Sequence, residues 1–144
     1  MWQPQPGWHL LQSGSGGSTV GVWRTVLGDQ AVVVKRVAAP VEGDPPELSE
    51  PRHFAYWRRA ADVVTTGVVV DTPGLRGPRL GAVEEDDEGV TITEEWVEDA
   101  ATSGLFVAHA LGRFAGGHLK PAPWLARNHL RDRMARVERH GGWR

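Results

Sequence analysis

The stretch "TVGVWRTVLGDQAVVVKRV", Thr19 to Val37, constrains the fold more than any other part of the chain. Val20, Val22, Arg24 and Val26 alternate with Thr19, Gly21, Trp23, Thr25 and Leu27, and Ala31 to Val37 is rich in β-branched residues. Both segments predict strands, because successive strand side chains point to opposite faces and β-branched residues suit a pleated surface. Gly28-Asp29-Gln30 supplies turn chemistry between them, so the two pair as an antiparallel hairpin. Trp8 to Gln12 reads as a short strand before that hairpin. The run Ser13 to Ser18, "SGSGGS", then falls between two strands and is a turn, not a domain linker.

Downstream, Val37 to Leu48 contains Pro40, Gly43, Pro45 and Pro46 and predicts an exposed loop. A helix is predicted over 49–64, with Ser49 as N-cap and Glu50 and Pro51 in the first turn. Phe54, Trp57, Ala61 and Val64 recur at steps of three and four and form its sheet-facing side. Thr65–Val70, Leu80–Glu84 and Val90–Thr93 read as further strands, with the acidic "EEDDEG" as the exposed tip of a second hairpin. That tip lacks EF-hand spacing and reads as a solvated turn, not a metal site. Two helices close the chain: one carries Val107, Ala110, Leu111 and Phe114 and stops at Gly116-Gly117, the other carries Ala126, Leu130, Met134 and Val137. The order predicts an α+β fold, an antiparallel β-sheet of five or six strands with a packed helix, followed by two helices.

The 144 residues suit one ordinary domain and hold no cysteine, which excludes a disulfide framework and a thiolate metal site. No basic segment followed by an apolar one opens the chain, and no apolar run reaches 18 residues, so a cytoplasmic protein without membrane association is expected. The net charge of −2 conceals an asymmetry: residues 120–144 sum to +5 and the rest to −7. This basic end reads as a solvated helix face, and nucleic acid is not an expected partner because no base-reading motif accompanies it. His118, His129 and His140 recur every 11 residues. Their spacing is not the i, i+4 of helical metal sites, and they read as surface residues.

Lys35 shares its strand face with Val33 and Val37, while Arg36 points the other way with Val34. An ammonium group among valines needs an anion or a cleft, since burial without a partner is costly. A glycine-rich turn between antiparallel strands can bring backbone N–H groups against phosphate oxygens, and a lysine on the next strand can reach the same phosphates. This order of turn, strand and lysine strand is the protein-kinase arrangement. A Walker A loop is excluded, because no Gly-Lys-Ser/Thr follows the glycines.

On "SGSGGSTVGVWRTV", "AVVVKRV", "PRHFAYWRRAADV", "TITEEWVEDA" and "LGRFAGGHL" the chain resembles the aminoglycoside phosphotransferase-like branch of the kinase fold, small-molecule kinases, over residues 7–140. The resemblance implies a kinase-like lobe over 1–94, a hinge over 95–99 and the helical start of a second lobe over 100–144. It implies that Ser13, Gly14, Ser15, Gly16, Gly17 and Ser18 cover the phosphates of ATP and that Lys35 holds its α- and β-phosphates. It further implies that the Glu95 carbonyl and the Val97 N–H meet the adenine edge.

The chain departs from that family in two respects. Where a glutamate partner for the lysine is expected on the helix, the residue is Ala60, and Glu50 is the substitute candidate; its other role is a first-turn carboxylate favoured by the helix dipole. The His-Gly-Asp-type loop and the later aspartate that carry catalysis and magnesium do not occur, and Asp132 is explained by an i, i+4 pair with Arg136. The expected function is therefore the ATP-binding lobe of a kinase that phosphorylates a small-molecule hydroxyl, inactive alone and cut short before its catalytic segments. Mg2+ is expected only with the missing lobe. The alternatives are a complete, non-catalytic nucleotide-binding or regulatory module, and an interaction domain that uses the basic final helix.

Overall fold

The computed structural model describes residues 2–14, 18–69, 71–99, 101–117, 121–139 and 141–142. The chain runs β1 (His9–Ser13), β2 (Thr19–Leu27), β3 (Gln30–Ala38), a single 3-10 turn (Pro46–Leu48) and α1 (Arg59–Thr66). It continues through β4 (Leu80–Asp86), β5 (Gly89–Glu95), α2 (Gly104–Ala115) and α3 (His129–Arg139). The five strands form one antiparallel sheet in the order β1-β2-β3-β5-β4, an α+β fold as predicted.

β3 and β5 are the central strands and are covered on both faces. On one face Val37, Val90 and Ile92 pack with Ala61 of α1, joined by Trp57, Ala60, Val64 and Val83. On the other face the rings of Trp2, Trp8 and Trp23 lie 5.3–6.2 Å apart. Beside them Arg36, 1% exposed, donates to both carboxylate oxygens of Asp86 at 3.0 and 2.6 Å and to Thr91 Oγ1 at 3.0 Å. Each face of the sheet thus has its own cover, α1 on one side and the N-terminal tryptophans on the other.

The helix predicted over 49–64 is corrected: it begins at Arg59 and runs to Thr66. Between Ser49 and Arg58 the backbone makes successive turns, with His53 N–H donating to Glu50 O at 3.0 Å and Tyr56 N–H to His53 O at 3.1 Å. The Arg59 guanidinium explains the late start, because it donates to the carbonyls of Pro51, His53 and Trp124 and so engages acceptors that a helical ladder needs. Trp57, Ala61 and Val64 nevertheless pack into the sheet-side core, while Phe54 turns its ring to α3 at the edge of the cavity.

The strand predicted over Thr65–Val70 is also corrected. Thr65 Oγ1 donates to Ala61 O at 2.9 Å and Thr66 Oγ1 to Asp62 O, which lets two β-branched residues close α1. Gly67 then caps the helix in the left-handed region, φ 56°. Val70 lies outside the described residues.

The two last helices pack lightly. In α2, capped by Ser103 Oγ accepting from Phe106 N–H at 3.2 Å, Ala110 is buried while Leu105 is 86% exposed. It rests on the turn around Gly74, whose Cβ position lies 3.1 Å from the Phe106 ring. The stripe predicted through Ala126, Leu130, Met134 and Val137 is corrected as well: Ala126 precedes α3, and Leu130 and Met134 are exposed. Asp132 pairs with Arg131 at 3.6 Å.

Candidate functional site

The parity of β3 puts Lys35 on the α1 side of the sheet, opposite Val22 on β2 and Ile92 on β5. A cavity of about 520 Å³ lies against that face, within the range of small-molecule sites. Lys35, Ile92 and Glu94 line it from the sheet, and Ala60 and Val64 from α1. Ser18 and Thr19 line it where the glycine-rich turn enters β2, and Arg136 of α3 reaches it as well. The far end of the turn and the lysine strand are also tied by the backbone, Ala38 N–H donating to Ser18 O at 2.7 Å.

The near end of the turn shows why glycine stands there. A Cβ on Gly14 would lie 2.3 Å from Thr19 O, so the chain doubles back with no room for a side chain. Ser13 ends β1 opposite Gly21. Ser15, Gly16 and Gly17, the centre of the predicted phosphate turn, lie outside the described residues.

Glu50 does not join this cavity. Its carboxylate accepts from Arg52 N–H at 3.1 Å in the turn before α1, and it is absent from the lining residues. Ala60 does line the cavity and brings no carboxylate. The carboxylate that stands near Lys35 is Glu94. Lys35 faces Ile92 across the ladder, so Glu94, two residues along β5, shares its face as a diagonal neighbour.

Burial raises the Glu94 carboxyl above its ordinary range, and the Lys35 charge draws it part of the way back. Tyr56, Arg59 and Arg136 are the other titratable groups on the wall. A carboxyl whose folded value is raised contributes stability below its unfolded value and loses it as pH rises through the folded one. Glu94→Gln is therefore expected to melt about 1–2 °C above wild type at pH 7, a modest gain because the side chain is only partly buried. The two melting curves should converge as the pH falls towards 4.

The predicted hinge occupies a different place. Glu95 ends β5, its N–H donating to Arg79 O at 2.9 Å and its carboxylate pairing with Arg76 and, at 3.8 Å, with Arg79. Its side borders a second cavity of about 530 Å³ with Trp96, Glu98 and Arg79. Val97 is exposed just beyond the strand. Trp96 is held structurally, under the Arg24 guanidinium at 4.4 Å, with its indole N–H donating to Glu98 at 2.7 Å. A third cavity, about 420 Å³, opens between the end of α1 and the Arg76–Leu80 segment. Glu94 belongs to the wall of all three.

No protein-family model matches the chain, and no curated protein matches it. Among the described residues no group of three or more His, Asp or Glu could hold a metal ion, and no helix is long and apolar enough to cross a membrane. His118 and His140 of the histidine series lie outside the described residues. His129 stands against the Phe54 ring at 5.5 Å.

Proposed function

We propose that the chain is a nucleotide-binding module built like the ATP lobe of an aminoglycoside phosphotransferase-like kinase, with the triphosphate of ATP as the group it holds. The observation that carries this reading is one cavity shared by the described end of the glycine-rich turn, Ser18 and Thr19, and by Lys35. The element order supports it: the turn links β1 and β2, the lysine lies on the third strand and a helix follows. Protein kinases use a glycine-rich loop over the phosphates and a third-strand lysine in that order. Glu95 and Val97 would present backbone groups to the adenine from the end of β5.

The site supports binding more than transfer. The cavity has one carboxylate on its wall, Glu94, and Ala60 stands on α1 where the family's lysine partner is expected. Mg2+ would therefore enter with the nucleotide's phosphates, and the described residues offer it no ligand set of their own. In a fuller relative, a second lobe would supply the base and metal ligands and a small-molecule hydroxyl would accept the phosphoryl group.

Thermal melts with ATP test the reading. At ATP 100 times its dissociation constant, the folded state gains about 2.7 kcal/mol, which raises the Tm by several degrees. Lys35→Ala should melt normally without ligand and lose most of that rise. A wild-type chain that melts identically with and without ATP would overturn the proposal.

A further inference from the structure

The three cavities meet at one side chain. Glu94 borders the cavity of Lys35, the one beside Glu95 and Trp96, and the one between α1 and segment 76–80. Lys35 is paired with Ile92, so Glu94 stands two residues, about 7 Å, further along β5 towards the end of the sheet. Beyond it Trp96 N–H donates to Ala31 O at 3.0 Å and continues the ladder. A ligand with its anionic end at Ser18, Thr19 and Lys35 and its other end at Glu95 therefore runs past the Glu94 carboxylate.

The neighbouring carboxylates are already engaged. Glu95 pairs with Arg76 and, at 3.8 Å, with Arg79, while Glu98 accepts from the Trp96 indole N–H at 2.7 Å and lies 3.6 Å from Arg24. Glu94 is partly buried, and among the described residues no side chain or backbone N–H donates to it. An ionised carboxylate accepts only, so the ligand group that satisfies it is a donor. A phosphate at this point would meet like charge, which orients an anionic ligand with its charge at Lys35 and its neutral part at Glu94.

We propose that Glu94 selects the base, its carboxylate accepting a hydrogen bond from the 6-amino group of adenine. This rests on the nucleotide-binding reading and gives it a base specificity. An exocyclic amine carries two N–H donors; the Glu95 carbonyl takes one, and the Glu94 carboxylate, one residue earlier on the strand, takes the other. Guanine presents an oxygen at the same position, as does hypoxanthine, which sets acceptor against acceptor. A site built around such a hydrogen bond rejects a ligand without the donor more strongly than an apolar pocket can.

Calorimetric titrations at one pH and ionic strength test it. The ligands are ATP, purine riboside triphosphate, which lacks the 6-amino group, and ITP, which carries an oxygen there. Wild type should prefer ATP to purine riboside triphosphate about thirtyfold, the scale of one charge-assisted and one neutral hydrogen bond. In Glu94→Ala the preference should fall to about threefold, what the backbone contact alone sustains, while purine riboside triphosphate binds no more weakly than to wild type. Glu94→Gln keeps an acceptor and adds a donor, so it should bind ITP about tenfold more tightly than wild type does, which gives an answer even if Glu94→Ala folds poorly. The same ATP preference in wild type and Glu94→Ala, while Lys35→Ala loses ATP, would overturn this inference and leave the nucleotide site standing. If 2′-deoxy-ATP, rather than purine riboside triphosphate, is the ligand that wild type rejects and Glu94→Ala accepts, the donor is the sugar hydroxyl and the base assignment falls. Absence of ATP binding by the wild-type chain would overturn both readings.

Discussion

Replacing Arg36 by alanine is expected to lower the stability of the fold by about 3–5 kcal/mol. The guanidinium is 1% exposed in the middle of the sheet and is held by Asp86 and Thr91 with the Trp2 ring 5.2 Å away. Alanine would leave a cavity beside three tryptophans and strip Thr91 Oγ1 of its donor. Arg36→Met separates packing from pairing. It fills most of the space, and Asp86, half exposed, can turn to water, so a loss of about 1–2 kcal/mol is expected. Asp86→Asn should cost more than Arg36→Met, because it leaves the buried cation with a neutral partner. The hydrogen bond from Arg36 holds the Asp86 carboxyl below its ordinary range. The pair's contribution is therefore present above the unfolded carboxylate value and is lost on acidification. Urea denaturation of the three variants at neutral pH gives the order, and an Arg36→Met variant as unstable as Arg36→Ala would show that pairing, not packing, dominates.

Gly89→Ala is expected to be the most damaging single-carbon change, at about 2–4 kcal/mol. Gly89 opens β5 opposite Ala38 with φ 149°, and a Cβ there would sit 2.1 Å from Val37 O and 3.0 Å from Ala38 Cα. Both obstacles are backbone, so no side chain can swing aside. The backbone must shift where β3 and β5 begin to pair, next to Val90, which is fully buried in the core. Gly77→Ala adds a carbon with nothing within 4 Å and should be close to neutral. A Gly89→Ala chain that unfolds at the same urea concentration as Gly77→Ala would refute the steric argument.

The sheet was legible because its signal is local. Alternation from Thr19 to Leu27 and the Gly28-Asp29 turn set the hairpin, and parity alone assigned Lys35 and Arg36 to opposite faces, as the register has them. The helices were less legible because their limits depend on distant groups. Apolar spacing from Phe54 to Val64 cannot show that Arg59 takes the carbonyls of Pro51 and His53, and the strand propensity of Thr65 and Thr66 gives no hint of their back-bonding. Leu130 and Met134 looked like the inward stripe of α3, yet the helix turns His129, Arg133 and Arg136 towards an aromatic ring.

The candidate site divides in the same way. Lys35 and the turn could be read from their neighbours in sequence, whereas Glu94 and Arg136 became candidates only through the β3–β5 register and the docking of α3. No spacing rule connects residues 35, 94 and 136. What brings them together is the closure of the sheet by one helix and the return of another.

The tryptophan-covered face has an optical consequence. Three indoles whose centroids lie 5.3–6.2 Å apart, tilted near 50° to one another, are close enough for their excited states to couple. They stand on the face of the sheet away from Lys35. The near-ultraviolet dichroism of this cluster therefore reports the integrity of one face, while Trp57, packed beside the cavity, fluoresces from the other. The molecule carries one group of indoles on the face away from Lys35 and another indole beside the cavity, with the thickness of one β-sheet between them.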